Sequence, residues 1–177
     1  TGALAEADYG VVDLVQQSAN FLIPLVSLGI SNAVIRFGLE KNISKRGVFT
    51  SGLIAIGMGF GVLLIFSPLI NQIPLVSEQI FLLFLYVLVS CLRTLCCQFT
   101  RAKLYTRLYA VDGIMSVLYT VGFNILFLLV LKMGIEGYLL AIICADALSI
   151  IGLTLLERLW RYIRFKKFDW KLYKEML

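Results

Sequence analysis

The chain of 177 residues contains no histidine. Without imidazole, the usual metal-ligand clusters and the Ser-His-Asp type of catalytic triad are excluded. Charge is scarce as well: 15% of the residues are Asp, Glu, Lys or Arg, against about a quarter in an ordinary soluble domain. The four cysteines, Cys91, Cys96, Cys97 and Cys144, all fall inside apolar blocks. Disulfide and zinc frameworks normally lie in polar loops, so these thiols read as packing residues. The start lacks the order of basic segment, short apolar segment and small-residue cleavage site of a signal peptide, so insertion is expected to rely on the spans themselves. Neither a cofactor nor a metal is expected, nucleic acid is not an expected partner, and an enzyme is disfavoured.

What the chain has in quantity is apolar sequence: 60% of its residues are hydrophobic and its mean hydropathy is +0.90. The apolar residues are gathered into blocks of the roughly 20 residues that a helix needs to cross a hydrocarbon layer. Five blocks read as spans, at about Val11 to Phe37, Val48 to Ile73, Glu78 to Phe99, Leu108 to Leu131 and Ile135 to Leu156. Backbone groups in lipid are satisfied only within helices or closed barrels, and the short alternating strands of a barrel are missing. The expected fold is therefore all-α, a polytopic transmembrane helical bundle.

Lys and Arg are enriched in cytoplasmic loops. Of the 16 basic residues, all but Arg93 and Lys132 fall in three places: the connection between the first two spans, the connection between the third and fourth, and the tail after the fifth. Alternate loops are thus basic, and the opposite ones carry Glu6, Asp8, Glu78 and Glu136. The chain is expected to start outside and end inside, with an earlier span preceding it. Residues 158–177 interleave Trp160, Tyr162, Phe165, Phe168, Trp170 and Tyr173 with basic residues, the composition of a linker resting at the lipid headgroups of the cytoplasmic leaflet.

Ionisable groups deep in a span cost about 2.5–3.5 kcal/mol and tend to face a partner or a watery cavity. Arg93 and Asp112 lie at similar distances on either side of Leu104, so an antiparallel hairpin brings them to similar depth. Asn124 and Asp146 lie likewise about Gly134, which suggests a shared hydrogen bond. The first span is the most polar: Asp13, Gln16, Gln17 and Asn20 follow the i, i+3, i+4, i+7 spacing of one helix face. That stripe suggests a helix lining an aqueous cavity, with Pro24 and Gly29 available to bend it. In the second span, Gly57 and Gly61 form a GxxxG pair that permits close backbone approach.

The run Tyr9-Gly10-Val11-Val12-Asp13-Leu14-Val15, then Pro24-Leu25-Val26-Ser27-Leu28-Gly29-Ile30 and Ala33-Val34-Ile35-Arg36-Phe37, resembles the second span of the polysaccharide flippases. These belong to the multidrug, oligosaccharidyl-lipid and polysaccharide exporter superfamily. Gln98-Phe99-Thr100-Arg101-Ala102 and Tyr109-Ala110-Val111-Asp112-Gly113 are similar to the close of its fourth span and the opening of its fifth. The order of these motifs carries more weight than any one of them. Glu6-Ala7-Asp8 departs from the acidic pair that precedes Tyr-Gly in the family.

The resemblance implies a multi-pass protein of a bacterial cytoplasmic membrane, with the tail on the cytoplasmic side and a second half of the bundle in the whole transporter. Its function would be flipping of an anionic lipid-linked oligosaccharide by alternating access, beside other polysaccharide assembly proteins. It makes Arg36 and Arg93 the first candidates for phosphate contact and Arg101 the next, since guanidinium offers bidentate donors. Gln17 and Asn20 become candidate substrate contacts, and Asp13, Asp112, Asp146 and Asn124 candidate counter-ions or coupling groups. A cation-coupled drug exporter of the same superfamily is the alternative. A membrane enzyme acting on lipids is a lesser one: Asp112-Gly113 is similar to the opening of the CDP-alcohol phosphotransferase motif, but the later aspartate pair needed for two metals does not follow.

Overall fold

A computed structural model describes residues 6–27, 29–40, 43–67 and 80–162, apart from the side chains of residues 6–9, 31, 160 and 161. Every described element is helical: α1 (Glu6–Ser27), α2 (Ile30–Leu39), α3 (Lys45–Ile65), α4 (Ile80–Ala102), α5 (Thr106–Asn124), a π-helix (Ile125–Val130) that prolongs α5, α6 (Gly134–Glu157) and a 3-10 turn (Leu159–Tyr162). Four rods, α3, α4, α5 with its π-helix, and α6, are long and apolar enough to cross a membrane, with mean hydropathy of 2.1 to 2.4. The pair α1 and α2 makes a fifth if it is one span bent by 41°. The chain is thus an all-α bundle of the multi-pass membrane type.

The first expected span is broken rather than merely bent. Pro24 has no N–H to give its helix, and α1 stops three residues later at Ser27, whose hydroxyl donates to the Pro24 carbonyl at 3.2 Å. Gly29 then takes the left-handed conformation, φ 69°, that most other residues resist, and α2 starts from it. At the head of α3, the Ser44 hydroxyl accepts from the Gly47 N–H at 3.2 Å, so the helix begins at Lys45, ahead of the apolar block. α4 runs past Phe99 to Ala102. The expected end of the second span at Ile73, the start of the third at Glu78 and the linker beyond Tyr162 lie outside the described residues.

α4 sits in the middle, touching α1, α2, α3, α5 and α6. It buries Leu83, Val87, Cys91, Leu95 and Phe99, one stripe with a residue every four positions. Against it pack Val15, Ala19, Ile30 and Val34 from the broken pair, Val48 and Ile56 from α3, and Leu139 and Ile143 from α6. All four cysteines are free thiols; Cys91 and Cys96 are buried, as packing residues are, while Cys97 and Cys144 are partly exposed. The close helix approach occurs at other glycines than the GxxxG pair. A Cβ on Gly57 or Gly61 would meet nothing within 4 Å, whereas one on Gly59 would overlap the Val26 carbonyl and one on Gly52 would lie 2.5 Å from Leu95 Cδ1.

α5 is inside out by the standards of a water-soluble protein. The two residues it buries, Asp112 and Ser116, are polar. Its exposed face carries Val111, Ile114, Val117, Leu118 and Val121, each more than half exposed. In water this arrangement would leave a large apolar patch uncovered while paying to bury polar groups. In lipid the apolar side is at home, and the polar side must find partners within the protein. The two ends of this rod should therefore lie on opposite sides of a membrane. Cysteines placed at Leu104 and at Met133, one beyond each end, are expected to react with an impermeant thiol reagent from opposite sides of sealed vesicles. Labelling of both from one side would show that α5 does not cross.

Candidate functional site

Helical spacing puts three polar residues of α4 on one face: Ser90, Arg93 and Cys97. α6 offers Asp146 and Ser149, three residues apart, and α5 offers Asp112. These six side chains converge. Arg93 Nη1 lies 3.0 Å from Asp146 Oδ1 and Nη2 lies 3.8 Å from Asp112 Oδ2. Arg93 Nε donates to Ser149 Oγ at 3.3 Å, and Ser149 Oγ in turn donates to Asp112 Oδ1. Ser90 Oγ donates to Asp146 Oδ2 at 2.6 Å, and Cys97 Sγ to Asp112 Oδ2 at 3.5 Å. Every carboxylate oxygen in the cluster has a partner.

The two carboxyls are buried, with side-chain exposures of 9% for Asp112 and 8% for Asp146, while Arg93 keeps 27%. A buried carboxylate is tolerated only when paired and hydrogen-bonded. Here one guanidinium serves two carboxyls, and it serves them unequally. Asp146 has a direct charged hydrogen bond, whereas Asp112 reaches Arg93 only at 3.8 Å and leans on Ser149 and Cys97. Asp112 is therefore the carboxyl less directly matched by positive charge.

Asp112 also lines a groove of about 300 Å³ between α4 and α5, together with Arg93, Thr94, Cys97, Gln98 and Tyr109. Arg101 stands exposed beside it. Its guanidinium carbon is 5.1 Å from the centre of the Tyr109 ring, and Nη1 donates to Gln98 Oε1 at 3.3 Å. The groove is thus lined by the Asp112 carboxylate and the Arg93 guanidinium, with the Arg101 guanidinium beside it. Among the described residues, no three His, Cys, Asp or Glu side chains are placed to hold a metal ion.

The other expected site residues are spread out. Arg36 is exposed in the last turn of α2, with its guanidinium carbon 5.5 Å from the Phe37 ring, and is not part of the cluster. Asp13, Gln17 and Asn20 are exposed on α1, whose buried face is Val12, Val15 and Ala19. Only Gln16 of that stripe reaches another helix, accepting from the Tyr138 hydroxyl at 3.3 Å. The polar stripe otherwise faces away from the rest of the described bundle.

The expected Arg93–Asp112 contact is present, but the Asn124–Asp146 hydrogen bond is not. Asp146 turns to Ser90 and Arg93, and Asn124 Oδ1 is buried with no partner among the described residues. Matching depth across the hairpin said nothing of direction around the helix axis, and Asp146 faces α4 rather than the end of α5. A second signal was in the sequence and unread. Arg93 on α4 and Lys103 just past its end are spaced about three turns apart, and so are Asp146 and Glu157 on α6. Two helices running the same way pair such ladders rung by rung, and Lys103 Nζ indeed lies 2.8 Å from Glu157 Oε2. Ser90 and Ser149 carry no such signal, since serine is common in spans for packing alone.

No family model, curated protein or solved structure matches the chain.

Proposed function

We propose that the chain belongs to a membrane transporter that moves an amphiphilic anion across a bacterial cytoplasmic membrane by alternating access, the anion being a lipid-linked oligosaccharide used in polysaccharide assembly. The observation that carries this reading is the buried Arg93–Asp112–Asp146 cluster, set in the middle of apolar helices and open to a polar groove. Charge kept inside a membrane is costly, and a structural role alone would be met more cheaply by apolar packing.

Within this reading the roles shift among the basic residues. Arg93 is committed to two carboxyls, so it positions the cluster rather than meeting substrate phosphate. Arg36 and Arg101 are exposed and have no carboxylate partner among the described residues, which leaves them the phosphate-contacting guanidiniums. Gln17 and Asn20, on the face of α1 that turns away from the other helices, offer donors and acceptors to sugar hydroxyls. The order of motifs from Tyr9 to Gly113 supports the glycan as substrate. One observation favours the second reading, a cation-coupled exporter of drugs: two carboxyls share one guanidinium, which suits a bound cation at Asp112.

Purified full-length protein in sealed vesicles distinguishes the two. Lipid-linked glycan added to one leaflet is expected to appear in the other, and Arg101→Gln is expected to slow this at least tenfold while the protein stays in the membrane. Movement of an amphiphilic organic cation with none of the glycan would replace the first reading by the second.

A further inference from the structure

The ends of α4 and α6 meet in an arrangement that the transport reading does not use. Lys103, just past the end of α4, and Glu157, the last residue of α6, form an ion pair of 2.8 Å with side-chain exposures of 7% and 1%. The Lys103 ammonium is also ringed by aromatic faces, 4.7 Å from the centre of Tyr105, 4.9 Å from Tyr162 and 5.8 Å from Phe99. Phe99 packs against Phe49 with the rings tilted at 51° and their centres 4.8 Å apart, and the Thr50 hydroxyl donates to the Tyr162 carbonyl at 3.2 Å, so the start of α3 is fastened to the same knot. Three helix ends are thereby closed over by one cation.

Two features place a cost on this closed arrangement. Among the described residues Glu157 Oε1 is buried without a hydrogen-bond partner, a condition relieved as soon as water reaches it. Next to each member of the pair stands a residue in the left-handed region although neither is glycine: Leu104 at φ 63° and Arg158 at φ 52°. Side chains with a Cβ stay in that region only while their surroundings keep them there. Fixed glue would satisfy the carboxylate and relax the backbone; a joint designed to release does neither.

We propose that Lys103 and Glu157 form a reversible latch that opens and recloses the basic end of the bundle, freeing the turn between α4 and α5. That turn follows Arg101, which stands beside the groove, so release would widen the groove's mouth. Only this last consequence rests on the transporter reading; the latch is measured without any transport.

Two measurements on the full-length protein in lipid nanodiscs test it. The first is acylation of the Lys103 amine, with exposed Lys45 as the reference and acetic anhydride as the probe. Wild type is expected to react at Lys103 at least tenfold more slowly than at Lys45, and Glu157→Gln to raise the Lys103 rate at least tenfold. The second is hydrogen exchange at the amides of Lys103, Leu104 and Tyr105. The doubly apolar Lys103→Met with Glu157→Leu variant, which has nothing left to release, is expected to slow it at least tenfold below wild type. An unchanged Lys103 rate in Glu157→Gln would overturn the proposal, as would exchange in the double variant equal to or faster than wild type. So would a loss of protection at residues 83–96 in Glu157→Gln, since the pair would then uphold the whole fold rather than its end.

Discussion

Replacing Arg93 by methionine is expected to be the most damaging single change in the chain. Methionine keeps much of the volume but leaves Asp112 and Asp146 facing each other across α4 with only Ser90, Ser149 and Cys97 as donors. Removing one partner from a buried ion pair costs about 3–5 kcal/mol, because the charge left behind is uncompensated. That is a large part of the stability of any folded chain, which is about 5–15 kcal/mol in well-studied domains. Reversible unfolding in mixed micelles should show the loss. Adding Asp146→Asn to Arg93→Met is expected to recover most of it, since the strongest of the orphaned carboxyls goes with it. Arg93→Met within about 1 kcal/mol of wild type would mean that the cluster is not held by charge.

The glycines of α3 should divide by sign. A methyl group on Gly59 would overlap the Val26 carbonyl oxygen, with Val26 C at 2.8 Å and Val26 Cα at 3.1 Å, all of them backbone atoms that cannot rotate aside. Gly59→Ala must therefore push α1 away from α3, at a cost expected near the upper end of the about 1–3 kcal/mol typical of overpacking. At Gly52 the nearest atom belongs to the Leu95 side chain, which can turn, so Gly52→Ala should cost less. Gly57→Ala and Gly61→Ala face open space and are expected to stabilise α3 by about 0.5–1 kcal/mol, through the lower conformational freedom of alanine in the unfolded chain. Melting temperatures of the four variants check the order, and a tolerated Gly59→Ala would contradict the close approach of α1 and α3.

These cases also show where sequence reasoning reached and where it stopped. Four of the five expected rods, the all-α architecture and the Arg93–Asp112 proximity follow from apolar block length and distance along a hairpin, quantities that a one-dimensional string contains. The GxxxG pair at Gly57 and Gly61 pointed to the right helix but the wrong face, because the spacing of small residues does not say which neighbour lies opposite. Asn124 and Asp146 failed for the same reason. A count along the hairpin does not say which way a side chain faces, and Asp146 found its partners on α4. The break of the first span at Gly29 was legible as a bend, since glycine takes the left-handed conformation found there without a steric cost. Arg93 was read as a cation awaiting an anion. Its partners come from two helices that follow it by 19 and 53 positions, and only the folded bundle brings both to it.

Asp112 is the carboxyl of the cluster that Arg93 pairs less directly and that opens to the groove. Its replacement by asparagine keeps the shape and the hydrogen bond from Ser149, but sets an amide NH2 where Cys97 donates and removes the carboxylate. The decisive measurement is the rate at which full-length Asp112→Asn protein in sealed vesicles moves lipid-linked glycan between leaflets, beside the wild type at equal amounts of folded protein. A fall of at least tenfold is predicted. Glycan movement at the wild-type rate would contradict a working role for the cluster and leave it as packing between helices.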